Sequence, residues 1–366
     1  PFITEYISKI VIFLEELAAN VMTLKDTLSL IKSDVFVNYE KNGENLEGSL
    51  QRLSEFREIL EQLHNPELQD YAFWLESINT SDENYPKGVF NYAPLQINEI
   101  LYERLYKKVK SVIMTSATIA IRGIFKYFSN RMGLDLLESG YVRELIVESP
   151  FDYNKQTKVM ISSFLPEPKD KFFLAQSIEI IRNAIDVCKT GTMVLFTSYK
   201  DLNNVYDQLS EDLYANDIPL FAQNKGISRS AMLREFKKKG RAVLLGTSSF
   251  WEGVDVPGEA LQLLILYKLP FMVPSEPIVE AYLEKLQVEG KDSFMHYMLP
   301  NALLKYRQGF GRLIRNKTDK GIVLVLDNRI STKKYGKYFI DSIPAQTIAT
   351  SNDIEVYDYL GRWFGI

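Results

Sequence analysis

Apolar residues recur at helical spacing through the first part of the chain. Between Ile3 and Ile31 they alternate steps of four and three residues, which predicts one long helix over about residues 3–32. A second run with similar spacing covers residues 46–63, and the polar segment 41–44 before it indicates a turn. Together they predict an antiparallel helical hairpin, an element typical of a spacer or clamp without chemistry of its own.

Strand signals begin after this hairpin. The aromatic-rich segments 71–75 and 89–92 are typical of strands, and residues 98–110 have the pattern of a helix. The apolar segment 111–118 then ends in small hydroxyl residues, which predicts a buried strand at the functional edge of an α/β sheet.

Short apolar segments alternate with amphipathic ones in the rest of the chain. The predicted strands cover residues 158–162, 192–196, 219–221, 242–246, 261–266 and 321–327, and predicted helices between them include 172–189, 200–210 and 228–238. Such alternation predicts βαβ units around a mainly parallel sheet, and therefore an α/β fold. The segment after residue 330 has mixed composition and is interpreted as a surface-packing tail.

The composition is ordinary for a globular protein. The 366 residues carry a net charge of −4 and include two histidines and one cysteine, Cys188. One cysteine excludes an internal disulfide or a four-cysteine cluster within this chain, and so few histidines argue against a zinc site. The sequence has neither an apolar run of about 18 residues nor a signal peptide, which predicts a cytoplasmic protein without a membrane partner. The negative charge argues against a surface that is basic everywhere, but it is compatible with a local basic groove.

The segment Leu304–Arg315 carries the most specific arrangement of polar residues. It places Gln308, Gly311, Arg312 and Arg315 at positions i, i+3, i+4 and i+7. On a continuous helix these four residues share one face. Two arginines and an amide suit a helix that approaches phosphate groups, and glycine permits close backbone approach.

Hydroxyl, amide and aromatic side chains follow several predicted strands. The resulting candidates are Ser116 and Thr118, then Thr197, Ser198, Tyr199 and Gln223, and finally Phe250, Trp251, Glu252, Gly253 and Asp255. The hydroxyl groups and the amide can donate to a nucleic-acid backbone, although strand-end hydroxyl groups also cap helices. The two adjacent aromatic rings can stack on single-stranded bases or pack in a core, and Asp255 can contact a ligand or only cap its turn.

Taken in chain order, these segments resemble a known family of helicases. Ser116–Thr118 resembles motif III of superfamily 2 helicases, Phe196–Tyr199 motif IV, Phe250–Asp255 motif V and Gln308–Arg315 motif VI. All four motifs in this order, with F-W-E-G in motif V, resemble a DinG-type helicase of the XPD-like group. The similarity covers about residues 71–330.

The resemblance implies a domain organisation. Residues 1–68 correspond to part of the helical arch insertion, and residues 69–145 to the C-terminal portion of a first RecA-like motor domain. Residues 146–366 correspond to the second RecA-like domain, which holds motifs IV, V and VI.

The resemblance also implies roles for the candidate residues. Arg312, Arg315 and Gln308 would act on the γ-phosphate of ATP, with the arginines as fingers. Asp255, Glu252, Gly253 and Gly311 would lie at the nucleotide, and Ser116 and Thr118 would couple it to the nucleic acid. Thr197, Ser198, Tyr199, Gln223, Phe250 and Trp251 would contact single-stranded DNA or RNA.

Two parts of an ATPase site are missing from this sequence. It contains no G-x-x-x-x-G-K-[ST] loop and no D-E-x-H box, so the chain alone is expected to hydrolyse no ATP. In the family both lie before the arch, as do the iron–sulfur cysteines. The chain is therefore expected to be the C-terminal part of a longer protein that binds ATP with Mg²⁺, and the N-terminal portion of that polypeptide is its partner.

Two functions remain open for the longer protein. The first is an ATP-dependent helicase or translocase that acts on single-stranded DNA. The second is a nucleotide- and nucleic-acid-binding module that regulates a fused 3′→5′ exonuclease without unwinding. Intact Gln308, Arg312 and Arg315 argue against a third possibility, a scaffold with decayed motifs.

Overall fold

The structure is a computed structural model that describes residues 2–30, 39–64, 70–78, 87–253, 256 and 258–366. The chain forms two compact units. The first contains residues 1–96 and 277–285, and the second contains residues 97–276 and 286–366. Among the described residues, no helix is long and apolar enough to span a membrane.

The first unit contains the predicted helical hairpin. Helix α1 (Phe2–Ser29) packs against α2 (Tyr39–His64), with Leu14 and Leu60 buried between them. Salt bridges from Lys25 to Glu47 (2.5 Å) and from Arg57 to Glu15 (3.9 Å) show that the helices are antiparallel.

The turn predicted at residues 41–44 is wrong, because these residues belong to the first turns of α2. Polar residues on the exposed face of a helix imitate a turn signal when the helix begins with them. Residues 31–38, which connect the two helices, lie outside the described part of the chain.

The two predicted aromatic strands form a sheet of their own. Strand β1 (Tyr71–Ile78) pairs antiparallel with β2 (Lys87–Pro94), and Phe73 lies opposite Tyr92. Their rings are 6.4 Å apart and nearly parallel, as expected of a cross-strand aromatic pair. Residues 79–86, which include part of the predicted loop, lie outside the described residues.

The second unit is an α/β domain. Its helices are α3 (Asn98–Leu101), α4 (Lys126–Met132), α5 (Tyr153–Gln156), α6 (Phe173–Cys188), α7 (Tyr199–Ala215), α8 (Arg229–Lys239), α9 (Ser248–Trp251), the last residues of α10 (Pro277–Val288, of which residues 277–285 belong to the first unit), α11 (Leu299–Phe310), α12 (Arg329–Thr332), α13 (Gly336–Asp341) and α14 (Asp353–Phe364). Its strands are β3 (Thr157–Ser162), β4 (Thr192–Leu195), β5 (Leu220–Ala222), β6 (Val243–Gly246), β7 (Leu263–Leu266), β8 (Gly321–Val325) and β9 (Gln346–Thr350).

All seven strands are parallel and follow the order β5-β6-β4-β7-β8-β3-β9. Alternate residues of each central strand point to opposite faces, so Met193 joins one buried cluster and Val194 the other. Helices cover both faces, which explains the continuous apolar runs in the sequence. The predicted parallel α/β sheet is thus confirmed.

The strand predicted at residues 111–118 is wrong. This segment is irregular, and Val112 and Ile113 are 40% and 87% exposed. Segment 142–149 is also irregular, although it contains the exposed apolar residues Leu145 and Val147. A strand needs a neighbour for its backbone hydrogen bonds, and no described segment pairs with either stretch.

The interpretation of the C-terminal segment as a surface tail is also wrong. Strand β9 forms an edge of the sheet beside β3, and α14 buries Val356 and Leu360 in the cluster on one sheet face. Short elements of mixed composition give a weak periodic signal, which is why the sequence pattern missed them.

Candidate functional site

The candidate residues collect at the carboxyl ends of neighbouring strands. Thr197, Ser198 and Tyr199 follow β4, Gln223 follows β5, and the segment 247–252 follows β6. These three strands are adjacent in the sheet. Ligands of open α/β sheets bind at this edge, because the loops there are exposed while their strands are fixed.

Gln223 joins all three of these loops. Its amide nitrogen donates to the Tyr199 hydroxyl (2.6 Å) and to Ser249 Oγ (3.1 Å). Its amide oxygen accepts from the backbone N–H of Thr247 (2.9 Å) and from the Thr247 hydroxyl (2.8 Å). Because these four bonds use the amide fully, Gln223 orders the site and presents Tyr199, whose side chain stays exposed.

Ser198 has the capping role that the sequence left open. Its hydroxyl accepts from the backbone N–H of Asp201 (3.2 Å) at the start of α7 and donates to the Asp201 carboxylate (2.8 Å). Lys268, which follows β7, donates to the same carboxylate (2.8 Å). Thr197 is half-buried, and no hydrogen bond of its side chain to a described residue is present.

Phe250 and Trp251 are core residues and do not stack on bases. Both rings are 0% exposed, so the stacking role predicted for them is wrong. Trp251 Nε1 donates to the backbone oxygen of Phe196 (3.0 Å), and this bond ties motif V to motif IV. The sequence suggested exposure because the pair lies in a loop at the sheet edge, but the short helix α9 turns both rings inward.

Motif VI extends beyond the end of its helix. Helix α11 ends at Phe310, Gly311 is its C-cap, and Arg312 lies in the following turn. The prediction that Gln308, Gly311, Arg312 and Arg315 share one helix face is therefore wrong. Residues that follow a helix cap no longer keep the 3.6-residue period of the helix. The two arginines, which follow Gly311, therefore take positions that the spacing did not predict.

Motif VI nevertheless contacts motif V directly. Arg312 Nε donates to the backbone oxygen of Trp251 (2.9 Å). A Cβ atom on Gly309 would lie 2.7 Å from two carbons of the Trp251 ring, so only glycine permits this helix–ring contact. Gln308 is half-buried, and its side chain makes no hydrogen bond to a described residue.

Arg315 lies in a separate, ordered loop. Its backbone N–H and that of Asn316 donate to Asp319 Oδ2 at 2.8 and 3.0 Å. Gln156 Nε2 donates to the backbone oxygens of Asn316 (2.8 Å) and Asp319 (2.9 Å), which anchors the loop to the start of β3. The position of Arg315 is therefore set by its backbone as much as by its own side chain.

Two further arginines hold the site, and the sequence analysis missed both. Arg229, at the start of α8, donates to the backbone oxygens of Ser249 (2.7 Å) and Glu252 (2.9 Å). Its guanidinium also lies over the Phe250 ring, 5.4 Å from the centroid. Arg229 thereby fixes the path of motif V, with Glu252 and Gly253 exposed beside it.

Arg307 connects α11 to motif III. Its guanidinium donates to the backbone oxygen of Ala120 and to that of Ala117 (3.2 Å). Ser116 and Thr118 bond to each other there through their hydroxyls (3.2 Å). Burial lowers the pKa of Arg307, and the nearby Tyr153 acts in the opposite direction. The one signal that the sequence offered for Arg307 is its position directly before motif VI.

Electrostatic shifts in the site follow from burial. Burial also lowers the pKa of Lys305, one turn before Gln308, although the Glu252 and Glu276 carboxylates act to raise it. Burial raises the pKa of Tyr306 above its usual range. Among the described residues, no cluster of three or more histidine, cysteine, aspartate or glutamate side chains can hold a metal ion.

One candidate residue cannot be placed. Asp255 lies outside the described residues. Gly253, two residues before it, has φ = +62°, a left-handed backbone conformation that favours glycine.

The sequence is similar to those of known helicase-family proteins. A family model described as a helicase C-terminal domain matches residues 181–346. The chain is 34% identical over 317 residues to the 3′-5′ exonuclease DinG of Bacillus subtilis, covering 85% of this chain and 33% of that protein. It is 31% identical over 337 residues to the ATP-dependent DNA helicase YoaA of Escherichia coli, covering 90% of this chain and 50% of that protein.

The fold is also similar to that of solved helicases. An XPD helicase structure superposes with a TM-score of 0.55 at 15% identity, covering 89% of this chain and 55% of the other. This likeness supports the RecA-like architecture of the sheet. The chain spans a third to a half of the length of the two relatives above. In motif order and fold the chain is thus similar to the DinG-type, XPD-like helicases of superfamily 2, and residues 181–346 match a helicase C-terminal domain.

Proposed function

We propose that this chain is the C-terminal part of an ATP-dependent motor that acts on single-stranded DNA. In this proposal motif VI supplies arginine fingers to ATP that is held, with Mg²⁺, by an upstream part of the same polypeptide. Residues 146–366 would be the second motor domain, and residues 1–68 part of the arch. The motor would work in the cytoplasm.

The bond from Arg312 to Trp251 is the observation that carries the proposal. It holds the arginine against the loop that follows β6, at the edge where ligands of α/β sheets bind. An arginine there presents permanently charged donors to a transferring phosphoryl group. The half-buried amide of Gln308, one turn earlier in α11, would orient the attacking water.

The neighbouring loops would hold the nucleic acid. Tyr199 is exposed, and its hydroxyl is fixed by Gln223, so its ring offers a surface for one base. Thr197 and the Ser249 hydroxyl would donate to the phosphate backbone. Because motifs IV, V and VI are neighbours, a change from bound ATP to ADP would alter the affinity for DNA.

The exposed apolar segments 111–118 and 142–145 would complete the first motor domain. Both contain strand-forming residues but pair with no described strand. In the proposal they join a sheet with the upstream part of the polypeptide. Arg307, Ser116 and Thr118 would then couple that domain to motif VI.

The test compares the chain printed here with the longer protein that contains a P-loop and a D-E-x-H box. We expect no ATP hydrolysis by the chain alone and ATP hydrolysis stimulated by single-stranded DNA in the longer protein. Turnover by the purified chain alone that is lost in Gln308→Ala would come from this chain and not from a contaminant, and it would overturn the proposal that the chain carries only half of an ATPase site.

A second candidate rests on the similarity to the Bacillus subtilis exonuclease DinG. In that case the chain would bind nucleotide and DNA to regulate a fused 3′→5′ exonuclease without unwinding. Strand displacement and nuclease assays on the longer protein separate the two functions. Unwinding favours the motor, whereas a nuclease rate that depends on ATP without unwinding favours the regulator.

A further inference from the structure

A cavity with a basic rim lies at the β9 edge of the sheet, far in strand order from the loops after β5 and β6. Its volume is about 410 Å³, within the range of ligand pockets. It is lined by Ile161, Ile330, Ser331, Lys333, Lys334, Lys337, Ile340, Thr347 and Ala349. None of these residues belongs to the helicase motifs.

The floor of the cavity is aliphatic, with one unused polar atom. Ile161 and Ile330 belong to the buried core, and Ile340 packs against it. The hydroxyl oxygen of Thr347 is buried and has no hydrogen-bond partner. A buried hydroxyl without a partner is unfavourable, so a bound group that pairs with it would gain that interaction.

The rim is built on a rigid turn. A Cβ atom on Gly336 would lie 2.0 Å from the backbone oxygen of Ile330, so the two segments touch without room for a side chain. Arg329 starts this turn and forms a salt bridge with buried Asp327 (2.6 Å). The lysines on both sides of Gly336 are therefore presented from fixed backbone positions.

Two of the three rim lysines form no ion pair with a described residue. Lys333 pairs with Glu167 at 2.6 Å. Lys334 and Lys337 are exposed and form no ion pair with any acidic group in the described ranges. The cavity thus combines an aliphatic floor with two ammonium groups that lack a counter-charge.

We propose that this cavity binds an acidic peptide segment of a partner protein. One apolar side chain of the peptide would enter the cavity, and neighbouring carboxylates would pair with Lys334 and Lys337. The charges of rim and peptide are complementary, which raises the association rate and excludes basic segments. A backbone group of the peptide would bond with Thr347.

The same features disfavour nucleic acid as the occupant. Bases bind by stacking on aromatic rings, and no aromatic side chain lines this cavity. The nearby rings of Tyr335 and Tyr338 have other contacts, with Phe271 and Arg122 respectively. Arginine, which grips phosphate in a bidentate manner, is also absent from the lining.

The probe is a fluorescein-labelled peptide of four aspartates followed by leucine and phenylalanine. Fluorescence anisotropy measures its Kd for the intact protein at low and physiological salt. Lys334→Glu/Lys337→Glu should weaken binding about tenfold or more, and Ala349→Phe should weaken it by filling the cavity. Lys237→Glu/Lys239→Glu makes the same charge change on α8 and should leave the Kd unchanged.

Several outcomes would overturn the proposal. One is equal binding by wild type and Lys334→Glu/Lys337→Glu when both have the same melting temperature. Another is equal binding of a peptide with asparagines in place of aspartates. A third is displacement of the peptide by a single-stranded thymidine oligonucleotide that does not bind to Lys334→Glu/Lys337→Glu. That result would assign the cavity to nucleic acid. ATP turnover reports separately on the proposed motor.

Discussion

Replacement of Gln223 tests how the site is built. Gln223→Leu keeps a side chain of similar size but removes the amide that joins the loops after β4, β5 and β6. Thr247 would lose the acceptor for both its backbone N–H and its hydroxyl. Tyr199 and Ser249 would lose their donor.

The expected loss of stability follows from these bonds. Thr247 is only 3% exposed, so water cannot replace the amide oxygen there. An unsatisfied buried donor costs about 1–3 kcal/mol, and the two half-exposed bonds add less. A total of about 2 kcal/mol would lower the melting temperature by about 4–8 °C in a domain of this size.

Gln223→Glu separates stability from binding. A carboxylate accepts from Thr247 as the amide oxygen did, and the hydroxyls of Tyr199 and Ser249 can rotate to donate to it. All four bonds therefore survive and the melting temperature should stay near that of wild type. At about 7 Å from a phosphate, with a dielectric constant of about 20–80, the added charge costs about 0.6–2.4 kcal/mol.

The assay is the Kd for a single-stranded DNA oligonucleotide at low salt, together with thermal unfolding. The charge should raise the Kd of Gln223→Glu about 3- to 60-fold. Gln208→Glu adds the same charge on the exposed surface of α7 and serves as the control. An unchanged Kd for Gln223→Glu would refute the proposal that Gln223 lies close to bound DNA. An unchanged melting temperature for Gln223→Leu would refute the role of the amide in joining the loops.

Three other predictions follow from single contacts. Gly309→Ala should lower the free energy of unfolding by about 1–3 kcal/mol, because the added Cβ would meet the Trp251 ring. Gly311→Ala should be tolerated, because its Cβ would lie 3.4 Å from the nearest atom. Thermal unfolding compares the two variants. Arg307→Ala should lower the melting temperature. Arg307→Lys should lower it as well, because a single ammonium group cannot reproduce the planar guanidinium that donates to two backbone oxygens. A melting temperature of Arg307→Lys equal to that of wild type would contradict the prediction. Burial raises the pKa of Cys188 to about 12. Its thiolate fraction at pH 8, and therefore its rate of alkylation, should be about 10³-fold lower in the native protein than in the unfolded protein. Rapid alkylation of the native protein would contradict the described burial.

The regular part of the fold was predictable because its signals are local. The alternation of buried strands and helices between residues 157 and 325 follows from continuous apolar runs and amphipathic segments, and the helical hairpin follows from its seam. The edge strand β9 was missed because its short sequence, Gln346–Thr350, lacks a strong pattern. Segment 111–118 looks like a buried strand, but pairing decides its structure and sequence does not show the neighbour.

The sequence identified several of the residues that meet at this edge of the sheet, but it predicted only part of their geometry. Gln223 was selected because it follows a predicted strand, and Arg312 because of the spacing of motif VI. It did not show that Phe250 and Trp251 turn inward, because burial of a loop residue depends on tertiary packing. Arg229 was missed for the related reason that its bonds go to backbone oxygens, which leave no mark in the sequence.

The central claim is that motif VI supplies phosphate-facing arginines. The most direct test is single-turnover ATP hydrolysis by the longer protein with Arg312→Ala, beside nucleotide binding and thermal unfolding. Loss of an arginine finger should lower the rate about 10³-fold or more, while the protein remains folded and still binds ATP. A folded Arg312→Ala variant that hydrolyses ATP at the wild-type rate would contradict the claim.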